Sequence, residues 1–127
     1  MQVLYDGDVY EAIAPAFQCV MIDALNGALK EHGVKDPAVR RQICDTFIFE
    51  TSVLLDQSWV KTKQTKRLFP RVCFTDRQLQ EDEEADAKAR IYLPAGGFEF
   101  HSYSHGDVAY YFEECKEKLK DMKAGGA

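Results

Sequence analysis

Only four residues, Gly33 to Asp36, separate two segments that each carry the signals of a helix, and this short reversal constrains the fold more than any other feature. The first segment runs from about Pro15 to His32, with a start near Ala12 as the alternative. At about 100° per residue, Ile13, Phe17, Val20, Met21, Ala24, Leu25, Ala28 and Leu29 form one wide apolar face opposite Asn26 and Lys30. Pro15 suits a first turn, where its missing N–H is not needed, and Gly33 suits the far end, where a positive φ is cheap. The second segment begins in "KDPAVRRQ", with Asp36 as N-cap and Pro37 at the first helical position, and runs to about Gln57. So short a connection implies an antiparallel helix pair.

Beyond Trp59 the pattern changes. Leu68 to Thr75 reads as a strand at an edge or bulge, because Pro70 has no N–H for a ladder. "ARIYL" reads as a second strand, "PAGG" as a turn and "FEFHSY" (98–103) as a third strand. The expected sheet is a three-stranded antiparallel meander, with "VLY" near the N-terminus as a candidate fourth strand. A C-terminal helix is expected from about Ser104 to Met122, its stripe formed by Val108, Phe112, Cys115, Leu119 and Met122. Ser104 and Asp107 have the spacing of a capping box. The expected fold class is α+β, with one domain over 1–122 and a flexible tail over 123–127.

A chain of 127 residues with 46% apolar content can build a core without covalent staples. Cys19, Cys44, Cys73 and Cys115 have apolar neighbours and no Cys-x-x-Cys spacing, so they read as buried thiols, with disulfides as the alternative. Acids stand where a secretory leader needs bases, and no apolar run reaches the roughly 18 residues of a membrane span. The expectation is a soluble, cytoplasmic chain with no membrane partner.

The net charge is −5, yet residues 61–75 hold five bases and no acid. The next stretch, 76–89, has six acids and one leucine and reads as a mobile, solvated loop. Pairing between these opposed runs is the plain expectation.

Two sets of candidate site residues stand out. On the second helix, Val39, Ile43, Phe47 and Leu54 share a stripe, and Glu50 falls in its middle. If that stripe enters the core, the carboxylate must find a cation or donors, become protonated, or line a wet pocket. In "FEFHSY" the alternation of a strand puts Phe98 and Phe100 on one face and Glu99, His101 and Tyr103 on the other. Those three are ligand-binding candidates with Glu50. His101 and His105 are the candidate metal ligands, but a His-x-x-x-His without a third ligand in register is a weak signal. The chain has no Gly-x-Ser-x-Gly elbow, Gly-rich phosphate loop, His-Glu-x-x-His or calcium loop, so no motif assigns a reaction and no cofactor is expected.

Three classes of function follow. The leading one is a non-enzymatic binding or accessory module that docks a protein partner or a second copy of itself. The second is a small-ligand or metal-dependent enzyme with a pocket at Glu50 and the strand-end histidines. The third is nucleic-acid binding through Lys61, Lys63, Lys66, Arg67 and Arg71, which the acidic whole disfavours.

Overall fold

A computed structural model, which describes residues 1–115 and 118–123, has three α-helices and a small mixed sheet, an α+β architecture. The helices are α1 (Gly7–Glu31), α2 (Pro37–Gln57) and α3 (Phe100–Glu113), followed by a 3-10 turn at Lys118–Asp121. The strands are β1 (Gln2–Tyr5), β2 (Phe74–Thr75) and β3 (Arg90–Leu93). The chain forms two compact units, Met1–Ile13 with Arg71–Phe98, and Ala14–Pro70 with Glu99–Ala127.

In the first unit β3 is central, with β1 parallel to it and β2 antiparallel. The expected antiparallel meander is therefore corrected: the candidate strand "VLY" is present and parallel, and "FEFHSY" supplies no strand. Tyr10, 1% exposed, organises this unit. Its hydroxyl donates to the Val72 carbonyl at 2.7 Å, and its ring meets Phe74 and Phe98 edge-on at 5.3 and 4.9 Å. The acidic stretch is folded into a turn. The buried Asp86 carboxylate accepts the Gln80 and Asp82 N–H groups, and Asp82 in turn accepts those of Glu84 and Ala85. Cys73, expected to be buried, is exposed.

Asp6 caps α1 by accepting the Val9 N–H at 3.0 Å, so the helix begins two turns before the expected start and continues through Pro15. At the other end Gly33 has φ +93°, with Gly33 N–H bonded to Lys30 O and Val34 N–H to Leu29 O, the pattern of a Schellman cap. The start of α2 is as expected, with Asp36 accepting the Ala38 N–H at 2.9 Å ahead of Pro37.

The second unit is built on α1 from Ala14 onward, α2 and α3. Gln18 of α1 bonds Ser52 of α2 at 2.8 Å, and Asn26 accepts from Arg40 Nε at 2.8 Å. The pairs run in opposite senses along the two helices, which is the antiparallel arrangement that the short reversal implied. Arg40 also donates to the Val34 and Lys35 carbonyls at 2.8 Å each, tying the reversal to α2. Ile22, Cys44, Ile48 and Val108 form the core, with Met21, Leu25, Leu29, Tyr111 and Phe112 packed around it. Tyr111 donates to Asp23 at 2.7 Å, and Lys123 donates to the other oxygen of that carboxylate. Burial acts to raise the Asp23 pKa, but these two hydrogen bonds together with the charges of Lys123 and Lys30 outweigh it and hold the carboxyl below its ordinary value.

Two expectations about helix faces are corrected. On α2 the buried residues are Arg40, Cys44, Ile48 and Ser52, a face about 120° round the helix from Ile43. The stripe of Val39, Ile43, Phe47 and Leu54, expected in the core, faces outward. The third helix begins at Phe100 instead of Ser104 and ends at Glu113. Ser104 is thus inside α3, buried, with its hydroxyl donating to the His101 carbonyl at 3.0 Å in place of capping. The tail expected over 123–127 lies, apart from Lys123, outside the described residues.

α1 is also long and apolar enough, by length and composition, to cross a membrane, contrary to the expectation from the sequence. Its Gln18 and Asn26 are buried and hydrogen-bonded to α2.

Candidate functional site

The outer face of α2 is the first candidate. Val39 is 41% exposed, Ile43 37%, Phe47 53% and Leu54 53%, so four large apolar side chains on one stripe stand in water. Intervals of four, four and seven residues keep them on one side of the helix. Gln42, Ile43, Thr46, Phe47 and Glu50 line an open groove of about 470 Å³ along it. Glu50 is exposed within the stripe, and among the described residues no hydrogen bond or ion pair engages it. Neither His101 nor any tyrosine is among the residues that line this groove.

The second candidate is the start of α3, where α2 presents a row of partners. Asp56, whose side chain is 5% exposed, accepts the Phe100 and His101 N–H groups at 2.8 Å each and meets His101 Nδ1 at 2.6 Å. Glu99 is the N-cap residue by position but makes no side-chain cap; its Oε2 lies 3.1 Å from His101 Nε2. Both ring nitrogens of His101 therefore face carboxylates, and both can donate only in the imidazolium form. One turn on, His105 Nδ1 meets Asp45 at 2.8 Å, and its ring stacks on Phe49 with centroids 5.0 Å apart. The same Phe49 meets His101 edge-on at 6.2 Å. Tyr103 is on α3, partly exposed at 39%.

The two histidines thus do share a helix at a four-residue spacing, which the strand reading of "FEFHSY" hid. His101 is held by Asp56 and Glu99 and His105 by Asp45, and among the described residues no group of three or more His, Cys, Asp or Glu side chains is placed to hold a metal ion. Among the described residues, no serine, threonine or cysteine is hydrogen-bonded to either ring, so the Asp56–His101 pair lacks the nucleophile that a triad needs. This arrangement acts as a latch. Asp56 satisfies helix donors that would otherwise be orphaned, and the histidines carry the attachment along α3.

No local sequence pattern marks Asp45, Phe49 or Asp56. Asp56 is the penultimate residue of α2, where a carboxylate is usually just a solvated residue, and its partners are more than forty positions away. Asp107 is another partly buried acid of note. Burial pushes its carboxyl up to about 7, and its Oδ2 has no hydrogen-bond partner among the described residues.

No family model matches the chain, and no curated protein or solved structure is significantly similar to it.

Proposed function

We infer that this chain is a non-enzymatic binding module that docks a protein partner on the outer face of α2. The observation that carries this reading is the exposed stripe of Val39, Ile43, Phe47 and Leu54 with an unpaired carboxylate, Glu50, set among them. A row of apolar side chains at helical spacing fits the apolar face of a second helix. Glu50 adds a charge preference. The matching segment is amphipathic and brings a lysine or arginine to the carboxylate, and the net charge of −5 draws such a segment in.

A second copy of the chain fits less well. Antiparallel pairing of the stripe on itself, centred between Thr46 and Phe47, sets the two Glu50 side chains about 10 Å apart in one apolar seam with no cation between them. The small-ligand enzyme reading gains no support from an open groove.

The reading is tested with two labelled helical peptides of equal length, one of leucine and lysine and one of leucine and glutamate. The lysine peptide is expected to bind in the micromolar range and at least tenfold more tightly than its acidic counterpart. Phe47→Asp should abolish that binding, and Glu50→Lys should weaken it about tenfold, a cost of about 1.4 kcal/mol. Equal binding of both peptides, or none at about 100 µM, defeats the reading. Sedimentation shows whether the chain pairs with itself. A dimer that Phe47→Asp dissociates replaces the heterologous partner with a second copy.

A further inference from the structure

Residues 59–69 form a small hairpin in the second unit, and none of the α2 outer face takes part in it. Val60 N–H bonds Leu68 O at 2.8 Å and Leu68 N–H bonds Val60 O at 2.9 Å, closing the stem. Two threonines shape the turn: Thr65 Oγ1 accepts the Thr62 N–H at 2.9 Å, and Thr62 Oγ1 accepts the Gln64 N–H at 3.2 Å. Every residue from Trp59 to Phe69 is exposed.

The turn carries Lys61, Lys63, Lys66 and Arg67, with no acid between Asp56 and Asp76. Within the second unit, among the described residues, none of the four cations has an ion-pair partner. At the stem Trp59 is 43%, Val60 60% and Leu68 54% exposed, and the Arg67 guanidinium lies 4.3 Å over the Trp59 ring. Cations with no ion-pair partner in their own unit, next to large exposed apolar side chains, are the marks of an interface.

We propose that this hairpin binds single-stranded nucleic acid, with the lysines and Arg67 neutralising phosphates and the Trp59–Arg67 stack receiving an unpaired base. Aromatic rings and guanidinium planes both stack on bases, and a tract of phosphates is the polyanion that several cations on one turn can follow. The order of residues argues against a membrane surface. An interfacial wedge leads with its apolar side chains and keeps its cations behind at headgroup level, whereas here the cations lead and the apolar residues stand at the stem. Exposed aromatic surface without a groove-reading helix favours unpaired bases over a duplex.

The test uses the full chain and fluorescence anisotropy with labelled single-stranded RNA and DNA oligonucleotides, a duplex of equal length, polyglutamate, and vesicles with and without anionic lipid. Binding of either single strand is expected, with a log–log salt slope of about −2.8 for four neutralised phosphates, or roughly 50-fold weaker binding at 200 than at 50 mM salt. Lys63→Glu with Lys66→Glu should flatten the slope by at least about 1.4. Trp59→Ala should weaken binding roughly 5- to 100-fold and leave the slope unchanged. The substituted residues are exposed, so circular dichroism melting of the variants should match the parent. The proposal is overturned by absence of binding at about 100 µM protein in 50 mM salt, by binding indifferent to the lysine reversals, or by preference for anionic vesicles, polyglutamate or duplex.

Discussion

Removing the Asp56 carboxylate tests the latch between α2 and α3 directly. In Asp56→Ala two helix N–H groups, each held at 2.8 Å, lose an ionised acceptor, and His101 Nδ1 loses its 2.6 Å partner. A hydrogen bond to a charged group contributes about 1.5–3 kcal/mol, and loss of a helix cap costs about 0.5–2 kcal/mol. Water reaches part of the first turn of α3 and recovers some of this, so the net loss is about 3 kcal/mol. With an unfolding entropy of about 2.1 cal/mol/K per residue, a chain of 127 residues loses about 10 °C in melting temperature. Asp56→Asn keeps one acceptor oxygen and should lose roughly half as much. Urea titration followed by circular dichroism measures the stability, and hydrogen exchange at the Phe100 and His101 amides places the loss at the start of α3. Asp45→Ala is the control: its side chain and that of His105 are 38% and 62% exposed, so the cost should stay below about 1 kcal/mol. If Asp56→Ala costs no more than Asp45→Ala, the latch does not hold α3.

Asp107 should make stability depend on pH. Its folded carboxyl, raised by burial to about 7 from 3.8, holds a proton over a range where the unfolded chain has lost it. The contribution is therefore fully present below about pH 4, falls as pH rises toward 7, and is lost above that. Asp107→Asn should remove this slope and stabilise the protein on the order of 2–4 kcal/mol at pH 8, with little change at pH 4; parallel pH dependences in urea titrations would count against it. Among the cysteines, exposed Cys73 should react with a thiol reagent in the native protein, whereas Cys19, Cys44 and Cys115 should react only on unfolding. Burial, followed by the Asp107 charge, pushes Cys19 up to about 12 and withholds its thiolate; native labelling of Cys19 at the rate of Cys73 would refute this packing. Arg40→Met removes bonds to Asn26, Val34 and Lys35 and should cost about 2–4 kcal/mol in the same titration, with a loss under about 1 showing that the reversal is held otherwise.

The parts of the fold that were legible in the sequence are those governed by nearby residues. Asp36 and Pro37 marked the start of α2 because a cap acts over two or three positions. Gly33 marked the end of α1 because a left-handed residue is a local demand. The antiparallel relation of α1 and α2 came from loop length alone. The acidic stretch was read from composition as a solvated loop, but the Asp82 and Asp86 side chains fold it by binding its own backbone.

The candidate site shows where that legibility ended. The polar–apolar alternation of "FEFHSY" is a fair strand pattern, yet the segment opens a helix because Asp56, far away in the chain, accepts its first N–H groups. On α2 the more apolar stripe was the natural choice for the core. The chain buries the poorer one instead, since Arg40 and Ser52 find Asn26 and Gln18 waiting on α1. Glu50 was singled out correctly as a carboxylate among apolar side chains, but its exposure turns a problem of desolvation into a docking preference.

What the amino-acid order determined by itself is the set of interactions that close within a few residues: two capped helices, a tight reversal between them, a basic run, and a mixed helix-and-strand class. The tertiary structure alone decided which face of α2 meets the core, where α3 begins, that β1 lies parallel to β3, and which charges stay unpaired. Those outcomes depend on partners brought together from distant positions, and a side chain's burial is settled by the group it meets, which no local pattern records.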